Sequence, residues 1–322
     1  MMPHRMTNVR TGLVIRTDAK VCHVAVDGAV VQAAPRGILF DGRQKNPVAV
    51  GDEVEVDLTS RPASLERVLP RRNTLSRIAS SHDPREQVLA ANVDQLFVIG
   101  SVAKPRFSSN RTDRILATCV WQHIPGVVVL NKIDLGDPEE TAAIRDTYEG
   151  IPVDVIETCA LDGRGLDELR RRMEGRMSVF YGASGAGKSS LLNALQPGLK
   201  LREGKISKFW DQGKHTTTYS QVHTLDFGAR VIDTPGIRVF RPFGVPEQNL
   251  RDLFPEFGRF QAGCRFSGCS HDHEPECAVF EAVDRGEIAA SRYASYVEML
   301  DEVRKGEAVD EGEPGEDRGD ES

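Results

Sequence analysis

Long apolar runs are missing from this 322-residue sequence. The longest clean one near its middle is Val127 to Leu130, far short of the ~18 residues that a membrane-spanning helix needs. No membrane partner is expected. The opening stretch, MMPHRMTNVRTG, has no apolar segment of the kind a secretory signal carries, which predicts a cytoplasmic location. Aromatic residues are scarce at 6%, beside 39% hydrophobic and 28% charged residues; this is the balance of a soluble globular chain, not a fibrous one. A disulfide framework is also missing. Cys22, Cys119 and Cys159 are scattered, and only Cys264, Cys269 and Cys277 cluster, so a reducing compartment is expected to leave all six as thiols.

Charge of one sign is absent from the body of the chain. The net charge of −7 comes from residues 306–322, which hold eight acidic residues and one arginine. What remains is forty acids against forty bases. The acidic tail has too little apolar surface to offset the entropy of ordering, so it is expected to be disordered. Residues 1–75 carry eleven Lys/Arg against eight Asp/Glu. That permits a nucleic-acid partner without demanding one.

Three kinds of pattern follow one another along the chain. Residues 1–74 read as about five short alternating strands, with Asp27-Gly28 as a hairpin signal. A small β-barrel is expected there, an OB-fold or an SH3-like barrel. Residues 75–240 alternate continuous apolar runs with helical stretches. The runs are QLFVIGSV, GVVVL, IPVDVIET, MSVFY and ARVID. This predicts a doubly wound, mostly parallel α/β sheet. Residues 241–305 hold a Cys/His cluster and then helical sequence, so a mainly helical C-terminal domain is expected.

The motifs in the central region point to one ligand. Gly182-Ala183-Ser184-Gly185-Ala186-Gly187-Lys188-Ser189, followed by Ser190, stands between a strand and a helix. This is the phosphate-binding loop pattern. Its amides and the helix N-terminus would cradle phosphates, Lys188 would reach the β- and γ-phosphates, and Ser189 would ligate Mg²⁺. Asn131-Lys132-Ile133-Asp134 ends another strand. The Asp134 carboxylate can accept from both N1 and N2 of guanine, an edge on which adenine offers neither donor. Asn131 would hold the loop and N7, and the Lys132 stem would cover a ring face. Thr158-Cys159-Ala160 loosely matches the small-residue loop whose backbone N–H meets guanine O6, with Thr and Cys in place of the usual Ser. Asp233, before Thr234-Pro235-Gly236, is the acidic strand end expected to hold Mg²⁺, usually through water, while the Gly236 N–H faces the γ-phosphate. The Gly213–Thr218 segment, GKHTTT, supplies a threonine for Mg²⁺; Thr217 is assigned to it, though sequence favours none of the three decisively.

The order of these motifs is unusual. The guanine-reading motifs precede the phosphate loop, the Thr segment and DTPG. The cyclic order of an ordinary GTPase is kept and only the cut point has moved, which nearby termini allow. Ile237 stands where many GTPases place the glutamine that orients the attacking water. Slow intrinsic turnover is therefore expected, with His215 as the nearest catalytic candidate. A nucleotide-switched RNA-binding module with incidental hydrolysis is the alternative, and a P-loop ATPase or kinase is disfavoured by Asp134.

Cys264-x₄-Cys269-x-His271-x₅-Cys277 offers three thiolates and an imidazole within fourteen residues. That suits one tetrahedral, structural Zn²⁺, with His273 as the competing imidazole.

Permuted NKID, GASGAGKSS, GKHTTT and DTPG, together with the Cys/His cluster and the N-terminal barrel, closely resemble the ribosome small-subunit-dependent GTPase A family (RsgA, also called YjeQ). The resemblance spans nearly the whole chain except the acidic tail. It implies an OB-fold that contacts ribosomal RNA, a circularly permuted GTPase core, a zinc domain, and late small-subunit maturation with hydrolysis stimulated by the subunit. It implies a catalytic role for His215 and zinc ligation by Cys264, Cys269, His271 and Cys277. The expected ligands and partners are thus GTP/GDP with Mg²⁺, zinc, the small ribosomal subunit and its rRNA, bound by a monomer. Residues 1–75 hold a single aromatic, Phe40, so contact with the RNA backbone or its shape is favoured over base stacking.

Overall fold

The computed structural model describes residues 8–18, 20–39, 42, 44–80, 83–199, 221–233 and 243–310. Strands β1 (Val9–Thr17), β2 (Cys22–Val26), β3 (Ala29–Pro35), β4 (Glu53–Asp57) and β5 (Ala63–Val68) form the N-terminal region. Their inward residues are β-branched or leucine: Val14, Val24, Val54, Val56 and Leu65 are fully buried together. Asp27 and Gly28 both take positive φ, the backbone of a tight two-residue hairpin, and Val26 pairs with Ala29 across it. The strand order is β1-β2-β3-β5-β4, closed by β1–β4 pairing, and β3 runs parallel to β5. Skipping from β3 to β5 gives the Greek-key order of an OB-fold and excludes the SH3-like alternative.

A hairpin follows that the sequence reading did not separate. Strands β6 (Thr74–Ser80) and β7 (Asp83–Ala91) make their own two-stranded sheet. It is stitched to the β3–β4 connection, because the Asn46 side chain bonds both Val88 N and Val88 O and Lys45 N donates to Glu86 O.

The core sheet holds β8 (Gln95–Ser101), β9 (Gly126–Asn131), β10 (Asp154–Thr158), β11 (Met177–Gly182), β12 (Gln221–Thr224) and β13 (Arg230–Asp233). Their order is β10-β9-β8-β11-β13-β12, and all neighbours are parallel except antiparallel β12–β13. β12 also pairs with β1 at Arg16↔Gln221, so the barrel and core share one eleven-stranded sheet. Helices α1 (Ser109–Trp121), α2 (Pro138–Glu149), α3 (Leu166–Met173) and α4 (Lys188–Leu195) connect the parallel strands or follow them. Phe97, Ile99, Val129, Ile156, Phe180 and Leu191 pack between sheet and helices.

A second compact unit contains residues 109–117 and residues from 244 onward. It includes α5 (Glu247–Leu250), a run of 3-10 turns, α6 (Ala278–Asp284) and α7 (Ala290–Asp310). Its core is aromatic: the Tyr296 ring lies 5.0 Å from Phe257 and 5.3 Å from Phe254. Arg292 is buried there and donates to Glu256 at 2.7 Å and Asp113 at 2.9 Å. The first nine residues of α1 thus belong with this unit, which the sequence reading did not anticipate. No helix among the described residues is long and apolar enough to cross a membrane.

Candidate guanine-nucleotide site and metal centre

Parallel register puts the motifs on one edge. Thr158 pairs with Asn131, Asn131 with Ser101, and Gly182 with Ile99. The loops after β10, β9, β8 and β11 therefore leave the sheet side by side at its carboxyl ends. The chain proceeds from β8 outward through β9 to β10, then returns to place β11 on the other side of β8. That reversal is a topological switch point, where open α/β sheets bind ligands.

The phosphate loop runs from Gly182, at the end of β11, to Lys188, the first residue of α4. Gly187 has φ of 102°, and a Cβ there would lie 2.1 Å from Asn131 Nδ2. Only glycine allows both that backbone and that approach. The Asn131 amide fills the space, donating to Ala186 O at 2.9 Å. Lys132 donates to Gly185 O at 2.7 Å and to Lys104 O. The Lys188 ammonium turns into the loop, 2.6 Å from Gly182 O and 3.0 Å from Ala183 O. Ser184 and Gly185 form the exposed crest, while Ala186 and Ser189 are buried and Ser190 is half-buried. Residues 131–132 and 182–188, distant in sequence, are thus joined by direct bonds.

The guanine-reading loops are joined as well. Ile133 N donates to Thr158 O at 3.4 Å, and the Cys159 thiol lies 3.2 Å from Asp134 Oδ1. Asp134 is exposed, Cys159 is buried, and Ala160 packs against the core. Burial pushes the Cys159 thiol above its ordinary value. The Arg164 side chain beside Asp162 holds that carboxyl at about 2.

On the other flank, Asp233 ends β13 opposite Phe180 of β11, at the same edge. His215, Thr217 and Gly236 lie outside the described residues. No motif in the sequence singles out residues 101–105. The Lys104 carbonyl receives the Lys132 ammonium, and Pro105 borders Gly185. The only signal was position: this loop follows the strand that neighbours β11.

In the second unit, the ligand atoms of Cys264, Cys269, His271 and Cys277 lie within 4.8 Å of one another. His271 Nδ1 is 3.4 Å from Cys277 Sγ and 3.6 Å from Cys264 Sγ. A tetrahedral centre with ordinary zinc bond lengths puts such atoms about 3.6 Å apart. His273, the competing imidazole, is 73% exposed and faces Asp272. Burial holds the His271 imidazole below its ordinary value, keeping it neutral as a ligand must be. Burial pushes the Cys269 thiol up to about 12, a cost that a divalent cation among the sulfurs would reverse. The donor set and spacing therefore fit a closed metal site. Arg251 donates to Cys269 O at 2.8 Å and Tyr293 to His271 O at 2.7 Å, fixing the ligand backbone.

Comparison with known proteins agrees with this geometry. Residues 68–242 match the RsgA GTPase family. The small ribosomal subunit biogenesis GTPase RsgA 2 of Bacteroides thetaiotaomicron is 36% identical over 302 residues, covering 92% of this chain and 97% of that protein. The small ribosomal subunit biogenesis GTPase RsgA of Porphyromonas gingivalis is 38% identical over 305 residues, covering 90% of this chain and 96% of that one. Among solved structures, YjeQ from Thermotoga maritima superposes with a TM-score of 0.71 at 35% identity, covering 92% of this chain and 99% of that one. YloQ, described as a circularly permuted GTPase, gives 0.68 at 28% identity, covering 95% and 99%. With the guanine-reading strands β9 and β10 preceding the phosphate-loop strand β11, this chain belongs to the RsgA family of circularly permuted GTPases.

Proposed function

We propose that this protein hydrolyses GTP to GDP and phosphate on the small ribosomal subunit during its late maturation, with turnover stimulated by that subunit. The observation that carries the reading is the bond from Asn131 to the Ala186 carbonyl. It ties the loop that reads the base to the loop that holds the phosphates. Asp134 reads guanine N1 and N2, the loop Thr158-Cys159-Ala160 offers the Ala160 backbone N–H toward O6, and residues 182–190 bind the phosphates. Ser189, Thr217 and Asp233 would hold Mg²⁺, which neutralises charge developing on the transferred phosphate. Ser189 in the first turn of α4 and Asp233 at the end of β13 share the edge this requires. With Ile237 unable to orient water, His215 is assigned that role. Loss of stimulated turnover in His215→Ala with GTP affinity kept is the expected result.

The remaining parts follow from the same reading. Residues 1–74 form the RNA-contacting domain, 75–240 the GTPase domain, 241–305 the zinc domain and 306–322 an acidic tail. Cys264, Cys269, His271 and Cys277 hold zinc, whose role is to fix the fold around them. The protein acts as a cytoplasmic monomer. Subunit-dependent turnover tests the whole: GTPase rate is measured with and without purified small subunits. Stimulation below about tenfold, ~1.4 kcal/mol of barrier, would favour an RNA-binding module with incidental hydrolysis.

A further inference from the structure

Carboxylates neutralise much of the barrel's positive charge. Arg36 pairs with Glu66 and Arg67 with Glu55, both at 2.5 Å, and Arg71 pairs with Asp52 at 2.7 Å. A group of unneutralised guanidinium groups lies elsewhere in the same compact unit. Arg170 and Arg171 stand in the last turn of α3, Arg176 just before β11 and Arg230 at the start of β13. The first three are exposed and Arg230 is half-buried. Among the described residues none of these four is in an ion pair, whereas their neighbour Arg172 is held by Asp154 at 2.6 Å.

Backbone bonds draw the four together. Arg176 N donates to Met173 O at 3.0 Å, and Arg230 N donates to Arg176 O at 2.9 Å. The Arg170 guanidinium lies 4.4 Å from the centroid of Phe227, in the β12–β13 turn that leads to Arg230. A helix C-terminus attracts cations, which accounts for Arg170 and Arg171 but not for Arg176 and Arg230, which are off the helix. Within residues 170–177 and 224–230 the exposed carboxylates are Glu174 and Asp226, two against four. Met177 pairs with Arg230 at the amino ends of β11 and β13, so the cluster lies at the sheet edge opposite the nucleotide loops. It adjoins the barrel junction, because Asp94 accepts from Met177 N at 2.7 Å and from Arg72 at 2.8 Å.

We propose that Arg170, Arg171, Arg176 and Arg230 form an RNA-backbone surface on the GTPase core, separate from the barrel's own contact. The proposal rests on the reading that this protein binds ribosomal RNA. A guanidinium fork matches phosphate oxygens, and stacking on Phe227 holds Arg170 ready for one. Such contacts fix a protein's position on RNA without reading its sequence. Their place at the amino edge leaves GTP free to enter and GDP free to leave at the opposite edge while RNA is held.

The test is fluorescence anisotropy of the full-length protein with a fluorescein-labelled RNA hairpin over a series of salt concentrations. The variants are Arg171→Gln/Arg176→Gln/Arg230→Gln at the edge and Lys20→Gln/Arg61→Gln at exposed barrel positions. The edge variant is expected to bind about tenfold more weakly at low salt, and the slope of log affinity against log salt is expected to fall by about one per arginine removed. GDP affinity should not change. Lysine at the same three positions should restore the slope, since it keeps the charge. Glu174→Gln/Asp226→Asn should tighten RNA binding about threefold, a gain that misfolding does not produce. An unchanged slope in the edge variant overturns the proposal, and a lowered melting temperature with that unchanged slope assigns the arginines to the α3 terminus instead. Weaker binding in the barrel variant with intact binding in the edge variant sinks the edge alone. A natural protein that fails to bind the hairpin sinks the RNA reading and this surface with it.

Discussion

At the nucleotide edge, parallel register gathers segments spread from residue 101 to residue 233. At the metal centre, four ligands within fourteen residues stand where little regular structure supports them. The first site is a by-product of a sheet whose strands are stabilised by their own ladder and by a packed apolar core. The second has short 3-10 turns and a few aromatic rings, too little core to hold two buried thiols and a half-buried one together unaided. Ligand removal should therefore be nearly harmless to the fold in one region and ruinous in the other. Chelation breaks or confirms the contrast with the largest expected effect. Stripping the metal, or Cys269→Ser, is expected to remove a contribution on the order of 10 kcal/mol from the unit beginning at residue 244. Hydrogen exchange should show that unit opening while GDP affinity changes less than about twofold, within ordinary non-coupling. A parallel loss of GDP binding would erase the distinction.

The aromatic unit carries a second dependence, a buried ion pair. Arg292 is 2% exposed between Asp113 and Glu256, and Ser295 also donates to Asp113 at 2.6 Å. Arg292→Ala would strand two buried carboxylates and is expected to cost about 3–5 kcal/mol. Thermal melts of the metal-loaded protein measure it. Arg292→Met with the Asp113→Asn partner change should cost less, since fewer charges are left unpaired. The nucleotide edge should respond to its own key residue in binding rather than stability. Asp134→Asn is expected to weaken GDP about 100-fold, ~2.7 kcal/mol, with little change in melting temperature. It should also gain affinity for the xanthosine nucleotide, whose C2 carbonyl accepts from the new amide.

The contrast also explains what the sequence reveals. Phosphate and base loops are legible because strand ends there need residues chosen for backbone freedom or for one functional group: Gly187, Lys188, Asn131, Asp134. The Cys/His cluster is legible because its ligands are close in sequence. Contributions made by backbone atoms, such as the Lys104 carbonyl, leave no mark in the sequence. The β6–β7 hairpin is not legible because Pro84, Arg85, Glu86 and Gln87 interrupt any apolar alternation, and β12 is not because four residues, QVHT, give no period to read. Thr158-Cys159 read as a loose match to a small-residue loop. Its contact with Asp134 arises because the loops after β9 and β10 leave the sheet side by side, which sequence spacing does not display. Residues 109–117 look like any crossover helix; the buried pairing of Asp113 with Arg292 and the Arg114–Glu302 ion pair assign them to the second unit.

Acid separates the regions with the smallest change per group. In the barrel, burial of Asp18 would raise its carboxyl, but hydrogen bonds from Arg16 at 2.9 Å and His23 at 3.0 Å outweigh this and hold it below the ordinary value of 3.8. A carboxyl lowered in the folded state contributes stability fully above its unfolded value and loses it as pH falls through the folded one. The barrel should therefore keep this contribution, about 0.5 kcal/mol after solvent screening, down to roughly pH 4. Asp18→Asn should lower the melting temperature slightly at pH 7 and not at all near pH 2. The metal centre should fail earlier, because its thiolates and imidazole must stay deprotonated to bind, and protons compete for all four ligand atoms as pH falls. Hydrogen exchange followed from pH 7 to pH 3 should then show residues 264–277 opening before β1 and β2. Simultaneous opening would mean that the barrel leans on the metal unit for its stability, and that register and core packing are not sufficient to hold the sheet.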